Sequence, residues 1–433
     1  MNATPTRMPH GPAPSLFAGA PALARRLFAE LQAAGSDGVG ITRRSYGDGE
    51  TRAIEIIEAH ARAYGLETTR DAAANLVVTL PGRDPDQPAI VTGSHMDSVP
   101  QGGNYDGAAG VVAGLVAMIS IRRAGIVPLR TIRLLGLRGE ESAEFSVPHL
   151  GSSALFGQIT PGMLALHSSD GQADLATCMA RVGADLARVS RGDRLVDPAG
   201  IACWLELHIE QGPVLEAQDQ AVAVVSAVRG NVRYPSVTCT GQAGHAGAVP
   251  RALRHDAVLA TCAILSKMET AWESLLEQGH DLVMNAGRCQ TDAARHAISR
   301  IPEQASFSFE FRSQSEKTLR LFDDLFQQTC RTVAAARGVA VETGPCSTVQ
   351  PGVMDAGWRE RLCAIMVDLG IPPATLPSGA GHDATIFARA GIPSAMLFVR
   401  NQHGSHNPCE SMEIDDFLTG VEVLLHALLS PPP

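Results

Sequence analysis

Seven side chains of this sequence have the types and placing that chemistry on a metal ion requires. They are His95, Asp97, Asp106, Glu140, Glu141, His208 and His406, in the segments GSHMDS, NYDG, GEES, LHIEQG and GSHNPCE. Imidazoles mixed with carboxylates suit borderline divalent ions, zinc first, or manganese in an oxygen-rich site. Each residue alone has a plainer explanation. His95 reads as a loop histidine, Asp106 before Gly107 as a helix cap, and the glutamate pair as a solvated strand end. His208 reads as a core histidine and His406 as surface decoration. Their joint placement argues otherwise. The five candidate ligands, His95, Asp106, Glu141, His208 and His406, all fall at predicted strand ends or in the loops that follow. In open α/β sheets, sites form at the carboxyl ends of strands. His95 and Asp106 are 11 residues apart, which suits a strand end and the start of the next helix. Asp97, just past His95, is placed to hold that imidazole and fix its metal-binding tautomer.

The elements that must position these residues follow from apolar periodicity. LARRLFAELQ and TRAIEIIEAHARAYG have helical spacing. NLVVTLPG, AIVTGSH, TIRLLGLRGEE and WLELHIEQG read as strands, with the helix GAAGVVAGLVAMISIRRAG among them. Strand, helix, strand at this spacing predicts α/β layering with a mostly parallel sheet. Composition changes near Ala217, and a second pattern runs to about Pro345. Its strands are AVAVVSAVRG, VRYPSVTCTG, DLVMNAGRC, ASFSFEFRS and VAVETG, and its helices begin HDAVLATCAIL and EKTLRLFDDLF. That order suits a separate α/β sandwich inserted into the first domain. The first pattern then resumes with WRERLCAIMVDLG, DATIFARAG and SAMLFV. The expected division is 1–217 and 346–433 for the catalytic domain and 218–345 for the insertion. Residues 1–16 are expected to form a disordered tail.

Bulk properties narrow the function further. A length of 433 residues predicts two or three domains. Hydrophobic content of 45% with 18% charged residues fits a soluble globular enzyme. A net charge of −10 argues against nucleic acid as partner. Lys267 and Lys317 are the only lysines, so nearly all positive charge is arginine. Nine scattered cysteines without a C-x-x-C pair point to a reducing, cytoplasmic setting. The longest apolar stretch, about Val111 to Ile121, is too short to span a membrane.

Together, GSHMDSVPQGGNYDGAAGV, the glutamate pair, LHIEQGPVLE, GQAGHAGAVP, PSGAGHDA and GSHNPCE resemble the carbamoylase/allantoate-amidohydrolase branch of the aminoacylase and dipeptidase superfamily. That branch includes N-carbamoyl-L-amino-acid hydrolases, β-ureidopropionases and allantoate amidohydrolases. The motifs occur in the family's order, between about Phe17 and Leu428. The resemblance implies a two-metal aminopeptidase-like catalytic domain with a mixed, mostly parallel sheet. It also implies an inserted sandwich that serves as lid and homodimer surface. Two divalent metals per subunit are implied, zinc first, with manganese, cobalt or nickel as alternatives. Asp106 would bridge them; His95 and His208 would complete one, Glu141 and His406 the other. Glu140 would be the general base, and His245 in GHAG would reach the substrate from the partner subunit. Gln211, Arg312 and His382 would be substrate contacts, Arg312 through a bidentate bond to a carboxylate.

Four departures bear on the substrate. Glu144 stands where the family often has Arg, Ser299 where it usually has an Asn that contacts the substrate carboxylate, and Arg251 where it often has Met. The run FVRNQHG replaces a Pro-containing turn, and Arg400 in it, with Arg251, offers further anion contacts. None of these removes a ligand or the base. The expected activity is hydrolysis of a linear amide or ureido bond in an N-carbamoyl or N-acyl amino-acid-like compound. A dipeptidase or aminoacylase with the same metals is the alternative. A catalytically inactive binding relative is a third reading, and it predicts a missing ligand or base.

Overall fold

The computed structural model describes residue 17, residues 19–295 and residues 297–433. The tail expected over residues 1–16 lies outside the described residues. The chain forms two compact units. One comprises the residues up to Ser226 with Met354–Leu376 and His382–Pro433; the other comprises Ala227–Val353 and Pro377–Gly381. The sequence reading began the insertion at 218 with the run AVAVVSAVRG. The start of that run is a strand of the first unit, because Val224 and Ala223 pair antiparallel with Leu397 and Phe398.

The first unit is built on a mixed sheet. In spatial order its strands are Glu67–Arg70, Leu76–Leu80, Ile132–Leu137, Ala89–His95, Ile201–Ile209, Ser394–Val399 and Val222–Val228. The four strands from Ile132–Leu137 to Ser394–Val399 run parallel, and antiparallel strands flank them. The reason is visible in the residues. Ala89–His95 and Ser394–Val399 are buried at every position, as continuous apolar runs must be when both faces of a parallel sheet are covered.

Helix Ala108–Arg123 is buried from Ala108 through Ile121, with only its last two arginines outside. It packs on the His95 strand and against helices Ala20–Gly35, Asp48–Ala63 and Ile414–Leu429. Burying Val111, Val112, Leu115, Val116, Met118, Ile119 and Ile121 contributes on the order of 10–20 kcal/mol before entropy is charged. Gly110 lets this helix seat against the sheet, because a β-carbon there would lie 2.2 Å from the Leu207 carbonyl oxygen. A satellite core of Tyr46, Phe145, Leu150, Ile159, Leu175 and Met179 supports the short helices between residues 150 and 190.

The second unit is a two-layer sandwich. Its central strands, Gly230–Thr240 and Gln304–Ser313, pair antiparallel. Ala305, Phe307, Phe309 and Phe311 alternate inward along the second of them. They face helices Ala257–Glu277 and Glu316–Arg337, with Phe309 stacked on Phe326 at 4.6 Å. The register shifts between Phe307 and Phe309, opposite Pro235, which has no N–H to give the ladder. No helix among the described residues is long and apolar enough to cross a membrane.

Candidate metal centre

All four parallel strands deliver a functional group at or just past their carboxyl ends. His95 closes Ala89–His95, and His208 is the penultimate residue of Ile201–Ile209. Glu140 and Glu141 follow Ile132–Leu137, and His406 lies in the loop after Ser394–Val399. Asp106 precedes helix Ala108–Arg123. It makes no side-chain cap to that helix, so its carboxylate is free to turn toward the histidines.

The side chains converge on the Asp106 carboxylate. Its Oδ1 lies 3.5 Å from His95 Nε2 and 3.3 Å from His208 Nε2. Its Oδ2 lies 3.3 Å from His406 Nε2, which is 3.2 Å from Glu141 Oε1. Two sets of donor atoms close enough to share an ion result: His95, Asp106 and His208, and Asp106, Glu141 and His406. A third set joins His95 to Glu140 and Glu141.

The hydrogen bonds leave His95 Nε2 available, while His208 Nε2 accepts only a long bond from the Gly107 N–H, at 3.3 Å. His95 Nδ1 is 3.1 Å from the Asp97 carbonyl, and His208 Nδ1 is 2.9 Å from the Ile209 carbonyl. A proton on each Nδ1 leaves a lone pair on Nε2, and the two Nε2 atoms face each other at 3.5 Å. Asp106 Oδ1 is buried and has no hydrogen-bond donor. Imidazole nitrogens this close to one another and to an undonated carboxylate oxygen are stabilised by positive charge among them, which a divalent ion supplies when bound and protons on the imidazoles supply otherwise. The donor set therefore fits divalent metal.

Asp97, fully buried, ties the neighbouring segments together. Its Oδ1 accepts the Glu140 N–H at 3.0 Å, and its Oδ2 accepts the Glu141 N–H at 3.0 Å and the Ser45 hydroxyl at 2.7 Å. Burial alone would raise its carboxyl, but the bonds to His95, Ser45 and Glu140 outweigh that and hold it below the usual range. Burial likewise opposes charge on His95, yet Glu140, Asp106 and Asp97 lift the imidazole well above its ordinary value. Hydrogen bonds to Asp106 and Glu141 raise His406 to about 10. Burial pushes Glu141 up to about 7 against the pull of His406.

Three residues here hold the left-handed conformation without being glycine: His149 (φ 59°), Gln211 (φ 64°) and His406 (φ 60°). Such backbones persist where the surroundings over-determine them, and they concentrate at functional sites. Gly107 is also left-handed (φ 66°), and a β-carbon on it would sit 2.4 Å from the His95 ring.

Other predicted contacts fall in several places. Gln211 Nε2 donates to Asp106 Oδ2 at 2.8 Å. His382 is buried with its ring 4.5 Å from that of His208, and burial and the nearby histidines hold it well below its ordinary value. His245, Ser299 and Arg312 belong to the second unit. There the short strand Gly244–His245 pairs with Arg300–Ile301, the Ala246 N–H donates to the Ser299 carbonyl at 2.8 Å, and His245 is exposed. Arg312 donates from Nε to Glu310 and from Nη1 to the Gly379 carbonyl at 2.6 Å. Arg251 is exposed, whereas Arg400 does not serve as a free anion contact. Asp416 holds it at 2.7 and 3.0 Å and Asp219 at 2.6 Å. Glu144 accepts the Ser169 hydroxyl at 3.0 Å.

The sequence reading passed over several supporting groups. Glu410 Oε1 accepts the N–H groups of Tyr105 at 2.8 Å and Asp106 at 3.2 Å, and the Ser405 hydroxyl sits between the two carboxylates, 2.6 Å from Glu410 Oε2 and 2.5 Å from Asp106 Oδ2, with one proton to give to either. Its place in GSHNPCE was the available signal. Ser45, His149, Glu206 and Asp383 carried none, since nothing near them in sequence marks what they face.

A mixed α/β unit with histidines and carboxylates gathered at the carboxyl ends of its parallel strands defines the class. Residues 91–430 match Peptidase family M20/M25/M40, and the chain belongs to that family. Within it, the chain is 32% identical over 391 residues to an N-carbamoyl-L-amino acid amidohydrolase of Geobacillus stearothermophilus, covering 90% of this chain and 93% of the relative. It is 29% identical over 386 residues to the allantoate amidohydrolase of Escherichia coli K12, covering 89% and 91%. A hydantoinase/carbamoylase family amidase from Burkholderia ambifaria superposes with a TM-score of 0.83 at 28% identity, covering 94% of this chain and 95% of that one. The branch expected from the motifs is thus borne out, and with it an enzyme of the amidohydrolase kind acting on non-peptide C–N bonds.

Proposed function

We propose that the chain hydrolyses a linear ureido or amide bond of an N-carbamoyl amino-acid-like compound, using two divalent metal ions and Glu140 as general base. The observation that carries this reading is the convergence of His95, His208, His406 and Glu141 on the two oxygens of one carboxylate, Asp106. His95, Asp106 and His208 would hold one ion, and Asp106, Glu141 and His406 the other, with zinc favoured by the imidazole-rich set. A pair of ions there would acidify a water and stabilise negative charge on the substrate carbonyl oxygen. Glu140 takes the proton of the attacking water and delivers it to the departing nitrogen, which is too basic to leave as an anion. Gln211, His382, Ser299 and Arg312 are proposed substrate contacts, with Arg312 directed at a carboxylate. His245 is proposed to stabilise the developing oxyanion from a second copy of the chain, which makes the working enzyme a homodimer.

The test uses zinc-loaded enzyme and the carbamoyl, acetyl and dipeptide forms of one L-amino acid, with allantoate alongside. Turnover of the carbamoyl form or allantoate is expected, and turnover of the dipeptide alone would favour the dipeptidase reading instead. Glu140→Gln should keep its metal and lose about 100-fold to 10,000-fold in kcat. Equal activity would remove Glu140 from the mechanism.

A further inference from the structure

One imidazole beside Glu140 has no part in the mechanism described so far. Past Glu141 the chain loops out and returns to the segment it left. The His149 N–H donates to the Glu140 carbonyl at 2.9 Å, Leu150 N–H to Gly139 at 2.7 Å and Gly151 N–H to Arg138 at 2.8 Å. His149 stands at the closing point in a left-handed conformation, φ 59° and ψ 37°, which residues with a β-carbon rarely adopt. That backbone turns its side chain onto Glu140, with Nε2 at 2.9 Å from Oε1. The other oxygen, Oε2, faces the metal-ligand cluster at 3.8 Å from His95 Nε2. Burial alone would strip the ring of charge, yet Glu140, with Asp383 and Glu206 behind it, raises its proton affinity. The two oxygens of Glu140 therefore have different neighbours, and a carboxylate torsion left to itself is broad and two-fold.

We propose that His149 is a positioning residue for the base: its Nε2, 2.9 Å from Oε1 of Glu140 but not aligned on it as a donor, turns its N–H onto that oxygen and so directs Oε2 at the attacking water. The inference rests on the assignment of Glu140 as base. A base must sit within hydrogen-bond reach of the proton it takes, and small misplacements of reacting groups cost up to about 100-fold.

The experiment compares zinc-loaded wild type with His149→Phe, His149→Gln, Glu140→Gln and the His149→Phe/Glu140→Gln pair, on the N-carbamoyl-L-amino acid turned over fastest. His149→Phe should lower kcat about 10- to 100-fold, with KM and bound zinc unchanged. His149→Gln, whose amide keeps a donor, should recover most of that loss. In the Glu140→Gln background His149→Phe should cost nothing further, since its target is gone. Independently of turnover, histidine-labelled enzyme should show a downfield imidazole N–H proton that is lost in both His149→Phe and Glu140→Gln. Unchanged kcat in His149→Phe, the same fractional loss in both backgrounds, a loss that tracks zinc, or no such proton would overturn the proposal. A fully active Glu140→Gln enzyme would overturn the base assignment itself, a separate failure.

Discussion

Replacing Asp97 by Asn removes one charge and changes the size of the side chain hardly at all. The wild-type carboxylate accepts from both sides. Oδ1 takes the Glu140 N–H at 3.0 Å and lies 3.3 Å from His95 Nδ1, while Oδ2 takes the Glu141 N–H at 3.0 Å and Ser45 at 2.7 Å. An amide offers one oxygen and one NH2 group. With NH2 at the Oδ2 position, Ser45 can rotate to accept, but the buried Glu141 N–H is left facing a donor. With NH2 at the Oδ1 position, the Glu140 N–H is orphaned and His95 loses its charged partner. Either way, about two charge-assisted bonds are lost, each worth about 1.5–3 kcal/mol. The metal-free fold should lose about 3–6 kcal/mol by the same reckoning. His95 keeps its bond to the Asp97 carbonyl but loses the carboxylate beside Nδ1, which should weaken metal binding about 10- to 100-fold, or about 1.4–2.7 kcal/mol. Zinc competition against a coloured chelator measures the second figure, and urea unfolding of stripped enzyme the first. Affinity within a factor of about two of wild type, together with an unchanged unfolding midpoint, would refute the claim that Asp97 organises the site.

Three further outcomes are expected. Gly107→Ala places a methyl group on a left-handed backbone 2.4 Å from the His95 ring, so it should cost about 1–3 kcal/mol of stability and most of the bound metal, read by melting and metal analysis after gel filtration. Burial raises Glu50 to about 7 despite its bonds with Arg138 and the Gly139 N–H. A raised acid binds its proton more tightly in the folded state, so its contribution is fully present below the ordinary value of 4.5 and is lost as pH rises toward about 7. Unfolding midpoints at several pH values should show that decline in wild type and a flatter profile in Glu50→Gln; parallel profiles would count against it. Mixing inactive His245→Ala with inactive Glu140→Gln should restore part of the activity if His245 acts across a dimer, and confirmed mixed dimers without activity would sink that arrangement.

The sequence carried most of the first unit because apolar period and ligand placement agreed there. AIVTGSH, TIRLLGLRGEE, WLELHIEQG and SAMLFV became parallel strands whose ends hold His95, Glu140 with Glu141, His208 and the His406 loop. Three things escaped the reading. Helix Ile414–Leu429 was not picked out, although its apolar residues recur at three- and four-residue steps. The short helices from 150 to 190 show too little period to be seen, since they rest on a satellite core instead of a face of their own. Ser45 and His149 meet the site only through chain closure, and Glu410, though its motif marked it, meets a partner, the Tyr105 N–H, 305 residues away. No local pattern encodes such a pairing.

The apolar helix that begins just after Asp106 has a consequence for how the chain is made. Its cover includes helix Ile414–Leu429, which leaves the ribosome about 300 residues later. Until then a stripe of valine, leucine and isoleucine is without its last partner, and a half-made chain presents a greasy surface instead of an enzyme. Asp106 can be no more fixed than the helix behind it, so the histidines and carboxylates around it gather only once Ile414–Leu429 has been made.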